Sequence, residues 1–232
     1  MNRIEYIISR FSEAEIPLSE KQAEQLTILC DFMTEYNEKV NLTAITEFEE
    51  VVAKHFVDSV LPFTMLEIPQ GASFIDVGTG AGFPGLPLLI WRPDLRGTLC
   101  DSLRKRCDYL KLACEKAGIT AEIVHSRSEE LGRTRREQYD ISTARAVAAM
   151  QVLAEYCVPF VKVGGVFAAL KSTNEDMAPA ERAIELLGGK LEEVRDYLLP
   201  NGDARRLAVV KKVSQTPTKY PRSSANISKK PL

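Results

Sequence analysis

Histidine is scarce in this chain, with two in 232 residues, and none of the five cysteines (Cys30, Cys100, Cys107, Cys114, Cys157) belongs to a Cys-x-x-Cys pair. Structural zinc draws its ligands from these two residue types at short spacings, so no metal is expected, and the thiols are expected to be reduced and buried. Long apolar runs are also missing. No stretch reaches the roughly 20 residues of a membrane span. The segment Met1–Glu20 has acids where a secretory leader needs a continuous apolar core. The expected setting is the cytoplasm.

No charge of one sign dominates either, since the net charge is −2, but the balance is uneven along the chain. Residues 1–70 carry 5 basic and 13 acidic side chains, residues 71–210 are neutral overall, and residues 211–232 carry 6 basic side chains and no acid. A polyanion would therefore meet the C-terminal end and selected basic residues of the centre, and avoid the N-terminal segment.

What is present begins with 45% hydrophobic residues, enough to bury the core of one good-sized domain with an appendage. Between Ser19 and Tyr36, Ala23, Leu26, Leu29, Cys30 and Met33 recur at steps of three and four, which predicts an amphipathic helix. Another helix is expected around residues 51–60, and Pro69-Gln70-Gly71 marks a boundary. Beyond it, strands are expected at 73–77, 97–101, 121–125, 140–144, 165–170, 193–198 and 207–212. Helices are expected at 85–91, 103–117, 150–161 and 175–187. Strands alternating with helices imply right-handed βαβ units and a parallel sheet with ligands at the carboxyl ends of its strands. Only a short turn around Pro200-Asn201-Gly202-Asp203 separates the last two strands, so they must pair as an antiparallel hairpin. The expected fold is α/β: a seven-stranded sheet with a C-terminal antiparallel hairpin and a helical N-terminal extension, an arrangement that resembles the class I methyltransferase variant of the Rossmann-like architecture. The expected divisions are 1–70, 71–213 and a loosely held basic tail at 214–232.

The glycine loop Gly78-Thr79-Gly80-Ala81-Gly82-Phe83-Pro84-Gly85 follows the first of these strands. It is not a triphosphate loop, because Leu86 and Pro87 stand where Lys and Ser or Thr would be needed. A dinucleotide remains open, since residues 80–85 satisfy G-x-G-x-x-G and Asp101 lies about twenty residues further on. S-adenosylmethionine is the other candidate. Asp76 precedes the glycines as D-x-G-x-G-x-G, and its carboxylate can accept a hydrogen bond from the methionine ammonium. The glycines allow a close backbone approach. Asp101 suits ribose hydroxyls in both readings, and Asp101 or Ser102 could instead cap the helix that follows.

Asn41–Ile45, Lys54–Ser59, Asp76–Pro87, Asp101–Arg106, Ser126–Glu130, Ser142–Ala146 and Lys219–Arg222, taken together, resemble the successive signatures of the glucose-inhibited division protein B family, the bacterial small-subunit rRNA guanine-N7 methyltransferases. The resemblance covers nearly the whole chain. It implies a monomeric cytoplasmic enzyme that uses S-adenosylmethionine to methylate a guanine of 16S rRNA near the decoding centre, with 16S rRNA or the small subunit as its partner. It places Gly78 and Phe83, with Asp76, Gly80 and Gly82, in the cofactor loop. Asp101 then falls at the ribose, Ser128 and Glu129 beside the adenine, and Arg145 at the junction of cofactor and substrate. Ala144 departs from the pattern, standing where many relatives have serine.

Guanine N7 carries an exposed lone pair, so no general base is needed, and catalysis should come mainly from alignment. The sequence agrees in what it omits: it has no Asn- or Asp-Pro-Pro-Tyr segment for an adenine amine and no Pro-Cys or Thr-Cys dipeptide placed to add to a pyrimidine ring. Arg145 and Lys171, each just past a strand end, are the catalytic candidates, suited to contact guanine O6 or a phosphate. Arg104, Lys105 and Arg106 read as a solvated helix face, and His55 as a packing or capping histidine. The rival readings are an NAD-dependent oxidoreductase, for which no hydride-handling His or Tyr–Lys pair is evident, and a protein that only senses S-adenosylmethionine.

Overall fold

In the computed structural model, which describes residues 1–145 and 148–232, two capped helices open the chain: α1 (Arg3–Glu13) and α2 (Glu20–Asn37). Ser19 begins α2 with a capping box, its side chain accepting from the Gln22 amide while the Gln22 side chain accepts from the Ser19 amide. The apolar stripe of α2 is buried as its spacing predicts, including Ala23, Leu26, Leu29, Cys30 and Met33. A helical stretch follows in three parts: α3 (Phe48–Val51), a π-helical segment at Val52–Val57, and α4 (Asp58–Thr64).

Then come β1 (Ser73–Val77), α5 (Gly85–Trp91), β2 (Arg96–Asp101), α6 (Arg104–Ala117), β3 (Glu122–His125), α7 (Ser128–Thr134) and β4 (Tyr139–Arg145). The second half has α8 (Met150–Cys157), a 3₁₀ turn at Val158–Phe160, β5 (Val161–Lys171), α9 (Ala178–Leu186), β6 (Gly189–Leu198), β7 (Ala204–Lys212) and α10 (Ser224–Lys229). The sheet order is β3-β2-β1-β4-β5-β7-β6. The pairs among β1 to β5 are parallel, and β7 is antiparallel to both β5 and β6. This is the expected seven-stranded sheet with its hairpin.

Side chains alternate across the sheet, as the two-residue period of a strand requires. Phe74, Ile141, Ala168, Leu170, Leu207 and Val209 join a core shared with α1, α2, α4, α5 and α6. Ile75, Ala144, Phe167, Ala169, Ala208 and Val210 join the opposite core under α8 and α9. The N-terminal helices thus cover one face of the sheet. Two glutamines of α2 fasten them there: Gln22 donates to the carbonyls of Ile90 and Trp91 at 2.8 and 2.9 Å, and Gln25 to that of Ala117 at 2.7 Å. These carbonyls lie at the C-terminal ends of α5 and α6, where the helix offers them no partner.

Two expectations need correction, and one helix, α7, is not among those expected. The helix expected at 150–161 stops at Cys157, and β5 starts at Val161, because Pro159 has no N–H to continue a helical ladder. The seven residues of α7 are too few to show a period in sequence. The tail is not loosely held: Thr216, Tyr220 and Ile227 are buried, and Arg136 donates to the carbonyls of Thr216 and Tyr220. Ala146, the last residue of the Ser142–Ala146 signature, lies outside the described residues.

Candidate functional site

The glycine loop connects β1 to α5 at the carboxyl edge of the sheet, next to the end of β2, so the topology brings Asp76 and Asp101 to one place. Gly78, Gly80 and Gly82 all have positive φ (70°, 61° and 92°), which a side chain would strain. Asp76 is fully buried beneath the loop. Its Oδ2 accepts from the Thr79 hydroxyl at 2.6 Å and the Gly85 amide at 2.9 Å, bracing both ends of the turn. Among the described residues Oδ1 has no hydrogen-bond partner. Burial pushes the Asp76 carboxyl up to about 6, against the pull of its hydrogen bonds to Thr79 and Gly85 and of the Arg145 charge.

Asp101 ends β2, and both of its carboxylate oxygens accept from backbone amides; the N-cap position of α6 is Leu103. Oδ1 accepts from the Leu103 amide at 2.8 Å ahead of α6, and Oδ2 accepts from the Gly80 amide at 3.0 Å, tying the loop to the neighbouring strand. Arg106 approaches Oδ2 at 3.5 Å, so one member of the basic run expected to be solvated faces the site. A cleft of about 210 Å³ runs from Gly78 past Asp101 to Ser128 and Glu129 at the start of α7. Glu129 is buried against it. Tyr156 of α8 and Ser224 of α10 close its far side, and neither was signalled by a sequence pattern. A glycine loop, a carboxylate at the second strand end and a polar slot beyond it fit S-adenosylmethionine, whose amino-acid, ribose and adenine parts need those surfaces in that order.

A second cavity, of about 420 Å³, opens beyond the ends of β4 and β5 and is lined by Lys54, His55, Asp58, Arg145, Lys171 and Arg205 among others. Phe83 of the glycine loop packs against two residues that line this cavity. It stacks on His55 with ring centroids 4.4 Å apart, and the Arg145 guanidinium lies 5.2 Å from its ring centre. Arg145 Nη1 donates to the Lys54 carbonyl at 3.1 Å and to Asp58 Oδ2 at 3.2 Å, while Arg205 pairs with Asp58 Oδ1 at 3.3 Å. Burial raises the Asp58 carboxyl even so, and lowers the Arg145 guanidinium.

His55 is more than a packing residue. Arg145 Nη2 lies 3.1 Å from His55 Nδ1 and can only donate. Nδ1 is therefore the acceptor, although the Lys54 carbonyl also lies 3.1 Å away, and Nε2–H donates to Thr43 Oγ1 at 2.9 Å. Burial, with the Arg145 charge beside it, pushes the imidazole down to about 3, so it is neutral. Its place was hidden because Val52–Val57 is π-helical, and a wider turn shifts which residues share a face. Lys171 lines the cavity, but its ammonium is turned to the Ala148 carbonyl and Glu175, both at 2.6 Å. Asp58 and Arg205 carried no signal as a pair, being 147 residues apart in sequence.

No helix among the described residues is long and apolar enough to cross a membrane. Among solved structures, the chain resembles a 16S rRNA (adenine(1408)-N(1))-methyltransferase mutant from Catenulisporales acidiphilia (TM-score 0.54, 14% identity, 66% of this chain and 87% of that one). It also resembles a precorrin-6y C5,15-methyltransferase from Geobacter metallireducens (TM-score 0.53, 12% identity, 75% and 91%). At such identities these show a shared fold. Sequence relatives reach further: ribosomal RNA small subunit methyltransferase G of Alkaliphilus metalliredigens is 48% identical over 93% of this chain and 92% of its own length. The protein of the same name from Lactobacillus acidophilus is 47% identical over the full length of both. Since the GidB family, described as rRNA small subunit methyltransferase G, also matches residues 22–202, the chain belongs to that family.

Proposed function

We propose that the chain methylates N7 of a guanine in 16S rRNA, with S-adenosylmethionine in the cleft between the glycine loop and Asp101 and the base in the cavity beside Arg145. When bound, S-adenosylmethionine supplies a sulfonium methyl group that a lone pair can displace directly. The observation that carries the reading is the packing of Phe83: a residue of the glycine loop stacks on His55 and lies under the Arg145 guanidinium, both of which line the second cavity, so the loop and that cavity are joined by direct contact.

The residues around the second cavity are arranged to hold a base rather than to move a proton. His55, the one imidazole there, is neutral with one nitrogen accepting from Arg145 and the other donating to Thr43, so neither is free to serve as a base. N7 of guanine has no proton to lose, and such a site suffices for it. Arg145 offers planar donors of the kind that match guanine O6, and Asp58 neutralises part of its charge. Lys54 and Arg205 at the rim suit backbone phosphates. Lys171, expected to touch the substrate, holds the chain at Ala148 and acts through that contact. The enzyme acts as a cytoplasmic monomer without a metal.

Incubation with radiolabelled S-adenosylmethionine and small ribosomal subunits, followed by mapping of the label, tests the reading. The expected product is 7-methylguanine at one position of 16S rRNA. Label on an adenine or cytosine, or none on rRNA, overturns it.

A further inference from the structure

The cleft assigned to the cofactor is completed by a segment remote in sequence. Ser224 lines it from α10, and Tyr156 lines it from α8, with Tyr156 Oη 3.3 Å from Ser224 Oγ. Ser128, on the opposite lip, reaches the Tyr156 carbonyl at 3.4 Å. Two residues before Ser224, Arg222 turns toward Glu155, the neighbour of Tyr156. The Arg222 amide donates to Glu155 Oε1 at 2.8 Å, Nε to the same oxygen at 2.9 Å, and Nη2 to Oε2 at 2.6 Å. Glu155 is fully buried, and no other cation among the described residues forms an ion pair with it. A buried carboxylate depends on such a partner, since removing one side of the pair leaves an uncompensated charge in a low-dielectric interior.

The geometry points to the C-terminal segment as part of the cofactor site: Arg222 is a positioning residue that, through Glu155, seats Ser224 against Tyr156 to wall the cleft beyond Ser128 and Glu129. The segment is anchored on its other side too. Lys212 is buried beside Glu137 at 3.2 Å, and Tyr220 packs into the core under α8. Losing the Arg222 pair would leave Glu155 without compensation on the same helix as Tyr156, so release of the segment and disorder of the cleft wall are linked. The inference rests on the methyltransferase reading and adds a second requirement for cofactor binding.

Calorimetric titration of S-adenosylhomocysteine into the full chain tests it, with variants Ser224→Trp, Arg222→Ala, Arg222→Lys and the double variant Ser224→Trp/Arg222→Ala. Ser224 is half-buried, and a tryptophan there adds bulk on the cleft side without entering the core. It should weaken binding about ten-fold with an unchanged thermal midpoint. Arg222→Ala should also weaken binding, Arg222→Lys should recover part of it, and the double variant should bind no worse than Arg222→Ala, because a released segment carries the tryptophan away. Methylation of small subunits should show the loss in KM for S-adenosylmethionine, with kcat retained at saturation. Wild-type affinity in Ser224→Trp, or fully additive losses in the double variant, overturns the inference. If Arg222→Ala does not fold, Ser224→Trp alone decides. Failure of the wild-type protein to bind S-adenosylhomocysteine would instead overturn the methyltransferase reading itself.

Discussion

His55 and Asp76 sit a few ångströms from the same arginine or under its field, and burial moves their protonation in opposite senses. An unfolded histidine takes a proton near 6.5, while His55 in place does so only near 3. Between those values the unfolded chain binds more protons than the folded one, so stability falls as the pH is lowered through that window. Asp76 is the reverse: raised from 3.8 to about 6, it holds a proton in the fold that the unfolded chain releases, so acidification between those values is stabilising. The histidine shift is the larger of the two. Urea unfolding from pH 7 to 4 should therefore show His55→Gln losing about 3 kcal/mol less stability than the wild type on acidification. Equal slopes would mean that His55 is solvated or already charged in the fold. The same pair of values shapes the reaction. With no proton to remove from N7, single-turnover methyl transfer should be flat from about pH 7 to 9. Below about pH 6 it should decline as Asp76 takes up a proton and its brace to Gly85 weakens. Arg145→Ala should lower transfer by two orders of magnitude or so while circular dichroism is preserved, as expected when alignment is lost; a full-rate variant would reduce Arg145 to the partner of Asp58.

In the β1–α5 loop, the glycines have separable reasons. At Gly82 (φ +92°) an added Cβ would overlap the Leu86 side chain and approach Leu110 Cδ2 at 3.1 Å. At Gly80 (φ +61°) the nearest atom is the Gly78 carbonyl oxygen at 4.0 Å, so only the backbone conformation resists a side chain there. Gly82→Ala should cost about 2–3 kcal/mol of folding stability. Gly80→Ala should cost about 1 kcal/mol and show its main effect on S-adenosylhomocysteine affinity, because the Gly80 amide holds Asp101, which lines the cleft. Thermal unfolding and calorimetry on the two variants distinguish them. If both lose stability alike and neither loses affinity beyond that, the loop is a packing element only.

Across the whole molecule, charge placed by the fold differs from charge counted along the chain. Six basic residues lie in 211–232, but Lys212 is paired with Glu137 and Arg222 with Glu155, both in buried surroundings. Lys211 is half-buried on β7, while Lys219, Lys229 and Lys230 stay exposed and are the most accessible to phosphates. Replacing these three by glutamine should raise the KM for small subunits and reduce the salt dependence of binding by fewer than about three phosphate contacts. S-adenosylhomocysteine affinity should not change. A salt profile identical to that of the wild type would place the RNA-facing charge at Lys54 and Arg205 instead.

Local patterns carried the α/β class, the order of strands and helices, the closing hairpin, the buried stripe of α2 and the glycine loop with Asp76 and Asp101. Each of these depends on residues near one another in sequence: a period of two or 3.6, a tight turn, a carboxylate at a strand end. The resemblance added Phe83, Ser128, Glu129 and Arg145; the fold puts Ser128 and Glu129 on one cavity, Arg145 on another, and Phe83 against Arg145. Folding alone decided that Lys171 holds Ala148, that His55 bonds Arg145, that Asp58 joins Arg145 to Arg205, and that Arg222 reaches Glu155 from 67 residues away. Side chains so far apart in sequence meet only because the sheet gathers the ends of its strands at one edge and the N- and C-terminal segments fold back onto the helices and loops there. The energy of those meetings comes from burial and charge in a low-dielectric interior, which no local pattern records.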